Sequence, residues 1–232
     1  SYTLVERALE LSEASDGAFD ITYESVGYLY DFRERRRPDR GEIELTLPAV
    51  DYRHVVLTPE SQTIEFRVPG VRINLGGIAK GYAVERAAAL LREAGVEHAL
   101  LNAGGDTRVV GDRRGQPWIV GIRHPREEKA VVTRMPLMNE AISTSGDYER
   151  FFEVAGRRYH HILDPGTGEP ATELMSVTVI GPDAALTDGL ATTLFVLGTA
   201  RGLEFVETYE SYEAVVIDRN GGLSFSSGLE PR

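Results

Sequence analysis

Residues 74–86, Asn-Leu-Gly-Gly-Ile-Ala-Lys-Gly-Tyr-Ala-Val-Glu-Arg, constrain this chain more than any other stretch. A strand-like apolar run leads into the glycine pair Gly76–Gly77, then Lys80 and Gly81, and then an amphipathic helical pattern from Ala83 to Ala94. Strand, glycine turn, lysine and helix form the layout of a phosphate-holding turn. Glycines let backbone approach an anion, the N–H groups that open a helix point at it, and a lysine adds positive charge. The spacing is neither that of a Walker A loop nor that of the Rossmann G-x-G-x-x-G fingerprint.

A chain of 232 residues suits one large domain or two small ones, and 42% apolar residues can build a substantial core. Lys plus Arg number 25 and Asp plus Glu 36, a formal net charge of −11, which argues against a general nucleic-acid binder. A small phosphorylated ligand remains compatible, because a local basic pocket can sit on an acidic protein. No apolar run approaches the ~20 residues of a membrane-spanning helix. The opening Ser-Tyr-Thr-Leu-Val-Glu-Arg lacks the regions of a signal peptide. With no cysteine, disulfides, thiolate metal sites and cysteine nucleophiles are all ruled out.

Helices are expected at 3–14, 24–33, 77–95, 183–196 and 199–209, from 3.6-residue periodicity. Residues 52–57 and 62–68 alternate as a hairpin. Further strands are expected at 98–102, 107–111, 117–123, 129–135, 139–143, 148–154, 157–163, 175–180 and 214–217. The basic run Arg33 to Arg40 reads as a solvated loop. Helices mixed with many consecutive strands give an α+β fold of mixed or antiparallel sheets with packed helices, a single catalytic unit of one or two lobes.

Three constellations could carry chemistry. Asp188 and Thr192 are four apart on one helix face, and a carboxylate with a hydroxyl makes a hard-oxygen pair suited to Mg²⁺. Equally, Asp188 could cap its helix and Thr192 bond its own backbone. In Tyr159-His160-His161-Ile162-Leu163-Asp164-Pro165, a strand would turn the two histidines to opposite sides, so one alone could serve a site as general base. A surface position, or a bond to the Asp-Pro turn, is the plain alternative. Thr144-Ser145-Gly146-Asp147 reads as a polar turn and Asn102-Ala103-Gly104-Gly105-Asp106 as a tight connection between strands, each with some capacity to hold a ligand. No Ser-His-Asp triad can be placed by spacing.

Taken in order, Gly17–Asp20, Asn74–Tyr82, Asn102–Asp106, Ser143–Tyr148, His161–Gly168 and Asp188–Thr192 resemble the ApbE family of FAD:protein FMN transferases, over nearly the whole chain. The resemblance implies one ApbE-like flavin transferase domain over residues 1–232, short at its N-terminus. It implies FAD as substrate, with Mg²⁺ on its pyrophosphate. FMN would pass through a phosphoester bond to a Thr or Ser of an acceptor protein, with release of AMP. Carried onto this sequence, Asp188 and Thr192 become side-chain Mg²⁺ ligands, joined by the carbonyls of Gly77 and Ala191. Ala18, Phe19, Asp20, Asn74, Lys80 and Leu163 contact FAD, Lys80 also serves the reaction, and His161 is the base. Family members usually carry Asp where this chain has Asn74. The same site could act as an FAD pyrophosphatase giving FMN and AMP, or the chain could bind flavin without catalysis. The resemblance further implies an acceptor subunit of a membrane electron-transfer complex and a periplasmic, extracytoplasmic location, with a lipid anchor ahead of residue 1.

Overall fold

The computed structural model describes residues 2–127 and 129–229. The chain divides into two compact units, one holding residues up to Gly77 together with Asp147–Thr172, the other holding Ile78–Gly146 and the chain from Glu173 onward. No helix among the described residues is long and apolar enough to cross a membrane.

The first unit opens with α1 (Tyr2–Ala14), which buries Leu4, Val5, Ala8 and Leu11 on one face. Positive φ at Asp16 (49°) and Gly17 (80°) ends it. Asp20 then caps a single 3₁₀ turn, Ile21–Tyr23, by accepting from Thr22 N–H. The helix expected at 24–33 is only α2 (Glu24–Gly27). The reason is Asp31. Its carboxylate accepts from the N–H groups of Arg33 and Glu34 at 2.9 and 3.0 Å. Backbone bonds of 2.9 Å run both ways between Asp31 and Arg36, so the segment closes on itself as a turn. Arg33, Arg35, Arg36 and Arg37 are exposed, as the loop reading expects. A short helix not expected from the sequence, α3 (Arg40–Thr46), follows. Its capping box of Asp39 and Glu42 was present in the sequence as a D-x-x-E signal. The hairpin β1 (Val55–Thr58) and β2 (Thr63–Phe66) matches its expected place.

The second unit begins with α4 (Ala79–Glu93), then β3 (Ala99–Ala103), β4 (Asp106–Val110), the hairpin β5 (Trp118–Arg123) with β6 (Val131–Leu137), and β7 (Ala141–Gly146). The chain returns to the first unit for the hairpin β8 (Phe151–Val154) and β9 (Arg157–His160), turning through Ala155 and Gly156, both at positive φ. The strand expected over 157–163 therefore stops at His160. Tyr30, Phe32, Phe152 and Tyr159 form an aromatic ladder over the core of Val26, Ile43 and Leu163.

The second unit is completed by β10 (Leu174–Gly181), α5 (Ala184–Leu197), α6 (Thr199–Val206), β11 (Glu213–Asp218) and β12 (Leu223–Phe225). Its sheet runs β12-β11-β10-β7-β4-β3, antiparallel throughout. Ile122 and Leu137 of the β5–β6 hairpin pack with Val109, Ile142, Ile180 and Val215 on one face. Helices α4 and α5 pack on the other, where Val84, Ala141 and Ala184 meet. The segment 144–147, expected as a turn, is largely strand: Thr144 and Ser145 lie in β7, opposite Thr178 and Val177 of β10. Their hydroxyls are tolerated inside because each has a partner, Thr144 on Thr178 at 2.8 Å and Ser145 on Thr192 at 3.1 Å.

Candidate functional site

The site is clearest where α4 starts against α5 in the second unit. Asp183 caps α5 by accepting from Leu186 N–H, which leaves Asp188 available for another task. Asp188 turns its carboxylate to α4. Its Oδ2 accepts from Gly81 N–H at 3.0 Å, one of the N–H groups that have no partner inside the first turn of a helix. Its Oδ1 accepts from Lys80 Nζ at 2.8 Å. The anion at this helix start is thus a carboxylate of the chain itself, where the sequence suggested only a bound phosphate.

Gly81 has a steric purpose. A Cβ built on it would lie 2.0 Å from Ala184 O and 2.8 Å from Asp188 Cβ, so only glycine lets α4 and α5 cross this closely. Glu85, one turn on, accepts from Ala184 N–H and from Arg108, both at 2.9 Å, and ties the start of α5 to α4 and β4.

A second carboxylate faces Lys80. Asp106, at the start of β4, lies with Oδ2 3.1 Å from Lys80 Nζ, its side chain 1% exposed against 40% for the lysine. That oxygen has no aligned hydrogen bond, so its attraction to the ammonium is Coulombic. Burial alone would pull the Lys80 ammonium below the ordinary lysine range. The charges of Asp188 and Asp106 outweigh it, and the group is held above that range. Burial and the charge of Asp188 push the Asp106 carboxyl up, with Lys80 opposing.

Thr192, half-buried one turn along α5 from Asp188, shares a hydrogen bond of 3.1 Å with Ser145. When its proton is donated to Ser145, the Thr192 oxygen keeps its lone pairs for another partner. Asp188, Thr192 and the main chain at Ala191 offer hard oxygens along one stretch of α5. Among the described residues no group of three or more His, Cys, Asp or Glu could hold a metal ion. A cation here would rest on few protein oxygens and complete its shell with water or substrate, which is the habit of Mg²⁺. The donor set fits that ion.

The remaining residues singled out from the sequence lie in the first unit. Phe19 is a core side chain and Ala18 is half-buried. Asp20 is committed on both oxygens: Thr22 N–H and Oγ1 donate to Oδ1 at 2.7 and 2.6 Å, and Tyr52 N–H to Oδ2 at 2.7 Å. Burial raises its pKa against these bonds. Asn74 is fixed beside it, its N–H on Ile21 O at 2.8 Å. Asn74 Oδ1 accepts from Gly76 N–H at 2.8 Å and Nδ2 donates to Glu24 at 2.9 Å. An aspartate at 74 would set a second carboxylate against Glu24, which gives a physical reason for asparagine in this chain. Gly77 ends this segment, one peptide before the second unit. Leu163 buries its side chain in the core and bridges to Pro170.

The histidine pair resolves by environment. His160 is buried, with Nδ1 accepting from Ile162 N–H at 3.3 Å and Nε2 donating to Ala171 O at 2.7 Å, so both ring nitrogens serve the fold. His161 is half-buried, and its Nδ1 lies 3.3 Å from Arg150 O. A carbonyl only accepts, so Nδ1 carries the proton and Nε2 keeps the lone pair, as a general base requires.

Asp106 and Ser145 are the participants that spacing did not single out individually. Both lie within the motifs noticed as turns, yet their partners are reached only when β4 and β7 are laid under α4 and α5.

Comparison with known proteins places the chain in a family. The ApbE family profile matches residues 1–216. A FAD:protein FMN transferase of Klebsiella pneumoniae (strain 342) is 33% identical, over 97% of this chain and 71% of its own. Among solved structures, the ApbE protein of Thermotoga maritima MSB8 superposes with a TM-score of 0.91 at 36% identity, covering 98% of this chain and 75% of its own. The apo flavinyl transferase ApbE of Pseudomonas stutzeri gives a TM-score of 0.84 at 33% identity, over 97% and 72%.

Proposed function

The chain belongs to the ApbE family, and from that premise we propose that it is a Mg²⁺-dependent FAD:protein FMN transferase. It transfers FMN from FAD to a Thr or Ser hydroxyl of an acceptor protein. The acceptor oxygen bonds to the FMN phosphorus of the P–O–P diphosphate, the bond from that phosphorus to the bridging oxygen breaks, AMP leaves carrying that oxygen, and the acceptor hydroxyl gives up its proton. The observation that carries this reading is Lys80, held charged at the start of α4 between the carboxylates of Asp188 and Asp106 at 2.8 and 3.1 Å.

Phosphoryl transfer asks a protein for position and charge more than for covalent chemistry. Lys80 supplies positive charge for the diphosphate oxygens. Asp188 and Thr192, with the carbonyls of Ala191 and Gly77, are the groups that would hold the cation. When bound, Mg²⁺ neutralises the charge that develops on the diphosphate. His161 takes the acceptor hydroxyl proton on Nε2, its tautomer set by the bond to Arg150 O. Ala18, Phe19, Asp20, Asn74 and Leu163 are assigned to FAD contact through the segment that Asp20 and Asn74 make rigid. The same reading makes the acceptor a subunit of a membrane electron-transfer complex and the site of action extracytoplasmic.

The test is incubation with FAD, Mg²⁺ and an acceptor polypeptide bearing the target threonine. A fluorescent, covalently flavinylated acceptor and one equivalent of AMP are expected. AMP released at the same rate without acceptor would replace this reading with an FAD pyrophosphatase. Tight FAD binding with no AMP would make the chain a flavin-binding protein.

A further inference from the structure

The segment Asn102–Asp106 stands out in the sequence, yet FMN transfer as described gives it no task. In the structure it is the turn between β3 and β4, with Gly104 and Gly105 at φ of 60° and 100°. Two features of this turn meet Lys80. Asp106 Oδ2 lies 3.1 Å from the ammonium. A Cβ on Gly104 would sit 3.0 Å from Lys80 Cδ, so the turn also bounds the methylene stem. Asn102 braces the hairpin by donating to Thr107 Oγ1 at 2.8 Å.

A buried carboxylate with an oxygen outside any aligned hydrogen bond is costly, and folds keep one where a cation compensates it. Here the cation is Lys80. The lysine also touches Asp188, but Asp188 is bound to Gly81 N–H and, in the proposed function, to Mg²⁺. One carboxylate oxygen cannot serve an ammonium and a divalent cation at full strength together. Asp106 gives the ammonium a carboxylate of its own.

We propose that Asp106 is the positioning residue for Lys80: it anchors the ammonium beside Asp188 so that the lysine meets the diphosphate in one fixed place. Asp106 touches neither substrate nor reacting atoms in this assignment; its carboxyl feels the charge of Asp188 as well, and its proposed part in catalysis is to hold Lys80. The assignment rests on the reading that Lys80 serves the FAD diphosphate.

The experiment compares wild type, Asp106→Asn, Asp106→Glu, Lys80→Met and the double variant Asp106→Asn/Lys80→Met. In FAD:protein FMN transfer, Asp106→Asn should lower kcat about 10- to 100-fold, the scale of loss when a reacting group is misplaced by about an ångström. FAD affinity and melting temperature should stay close to wild type, and Asp106→Glu should recover part of the rate. Added to Lys80→Met, Asp106→Asn should cost nothing more, because its effect passes through that lysine. A further loss in the double variant, or unchanged kcat in Asp106→Asn, overturns the proposal. A substrate-free readout keeps it separate from the proposed function. Acetylation of Lys80 followed by mass spectrometry should accelerate several-fold in Asp106→Asn, as the amine leaves its anchor. If wild type transfers no FMN while that acceleration appears, the function fails and the anchor stands. If acetylation is unchanged, the anchor fails.

Discussion

His160 and His161 are neighbours in sequence, yet a single covalent step separates a structural side chain from a candidate base. His160 spends Nδ1 and Nε2 on Ile162 and Ala171. His161 places Nδ1 3.3 Å from Arg150 O, a carbonyl that can only accept, so the proton belongs on Nδ1 and the lone pair on Nε2. The two should fail differently on truncation. His161→Ala should cut FMN transfer about 10²- to 10⁴-fold, the range for loss of a general base. FAD affinity by flavin fluorescence should remain within about two-fold, since each tenfold step needs ~1.4 kcal/mol of lost contact. His160→Ala should lower the unfolding free energy instead, by ~1 kcal/mol for the half-buried carbonyl of Ala171 left without its donor. If His161→Ala weakens FAD binding as much as transfer, its role is structural. Alternation along a strand does not decide between them, because β9 stops at His160. Which one serves the fold was not legible, because Ala171 and Arg150 reach them only through the turn after His161 and the β8–β9 pairing.

The crossing of α4 and α5 is the element on which the site depends, and Gly81 is its closest point. In the sequence, Gly81 reads as one more glycine of an anion-holding turn. Its real constraint is Ala184 O, which a Cβ would approach to 2.0 Å. No local pattern announces a partner so far along the chain. Gly81→Ala should therefore push the helices apart and cost ~1–3 kcal/mol or more, as overpacking does. Urea unfolding at constant slope measures it. Gly41→Ala is the control. Gly41 is exposed within α3, where a Cβ meets only Asp39 Oδ1 at 3.4 Å, and alanine there should stabilise by ~0.5–1 kcal/mol. Loss of stability in Gly81→Ala no greater than ~0.5 kcal/mol, the usual scatter of a surface substitution, would mean that the helices yield easily. Elements with a long, clean pattern were legible: α1, α4, α5 and the apolar β10 fall close to their expected limits. The failures have two causes, one local and one tertiary. At Asp31, a side chain outcompeted the helix for N–H groups. At Thr144 and Ser145, hydroxyls suggested a turn, but tertiary partners made them strand residues.

At the scale of the whole molecule, a formal charge of −11 coexists with a site built around one lysine, because charge acts through local geometry. The ordered series of motifs gave the family from sequence, since each motif is local. The assembly of Lys80, Asp106, Asp188, Thr192 and Ser145 needed the sheet order, in which β4 and β7 are adjacent and both lie under α4 and α5. In the proposed function, that assembly would make metal binding depend on the folded chain. A cation held only by the folded state must raise the stability of the chain, by ~2.7 kcal/mol at a hundredfold excess over its dissociation constant. Mg²⁺ should accordingly raise the melting temperature of wild type in the absence of FAD, and a chelator should reverse the rise. Asp188→Ala also removes the partner of Gly81 N–H and of Lys80, so its starting stability should fall. The decisive quantity is the increment produced by Mg²⁺, which should vanish in Asp188→Ala and shrink in Thr192→Val, where the hydroxyl is lost but the carboxylate remains. An equal increment in wild type and Asp188→Ala would place the cation elsewhere and remove Asp188 from the ligand set.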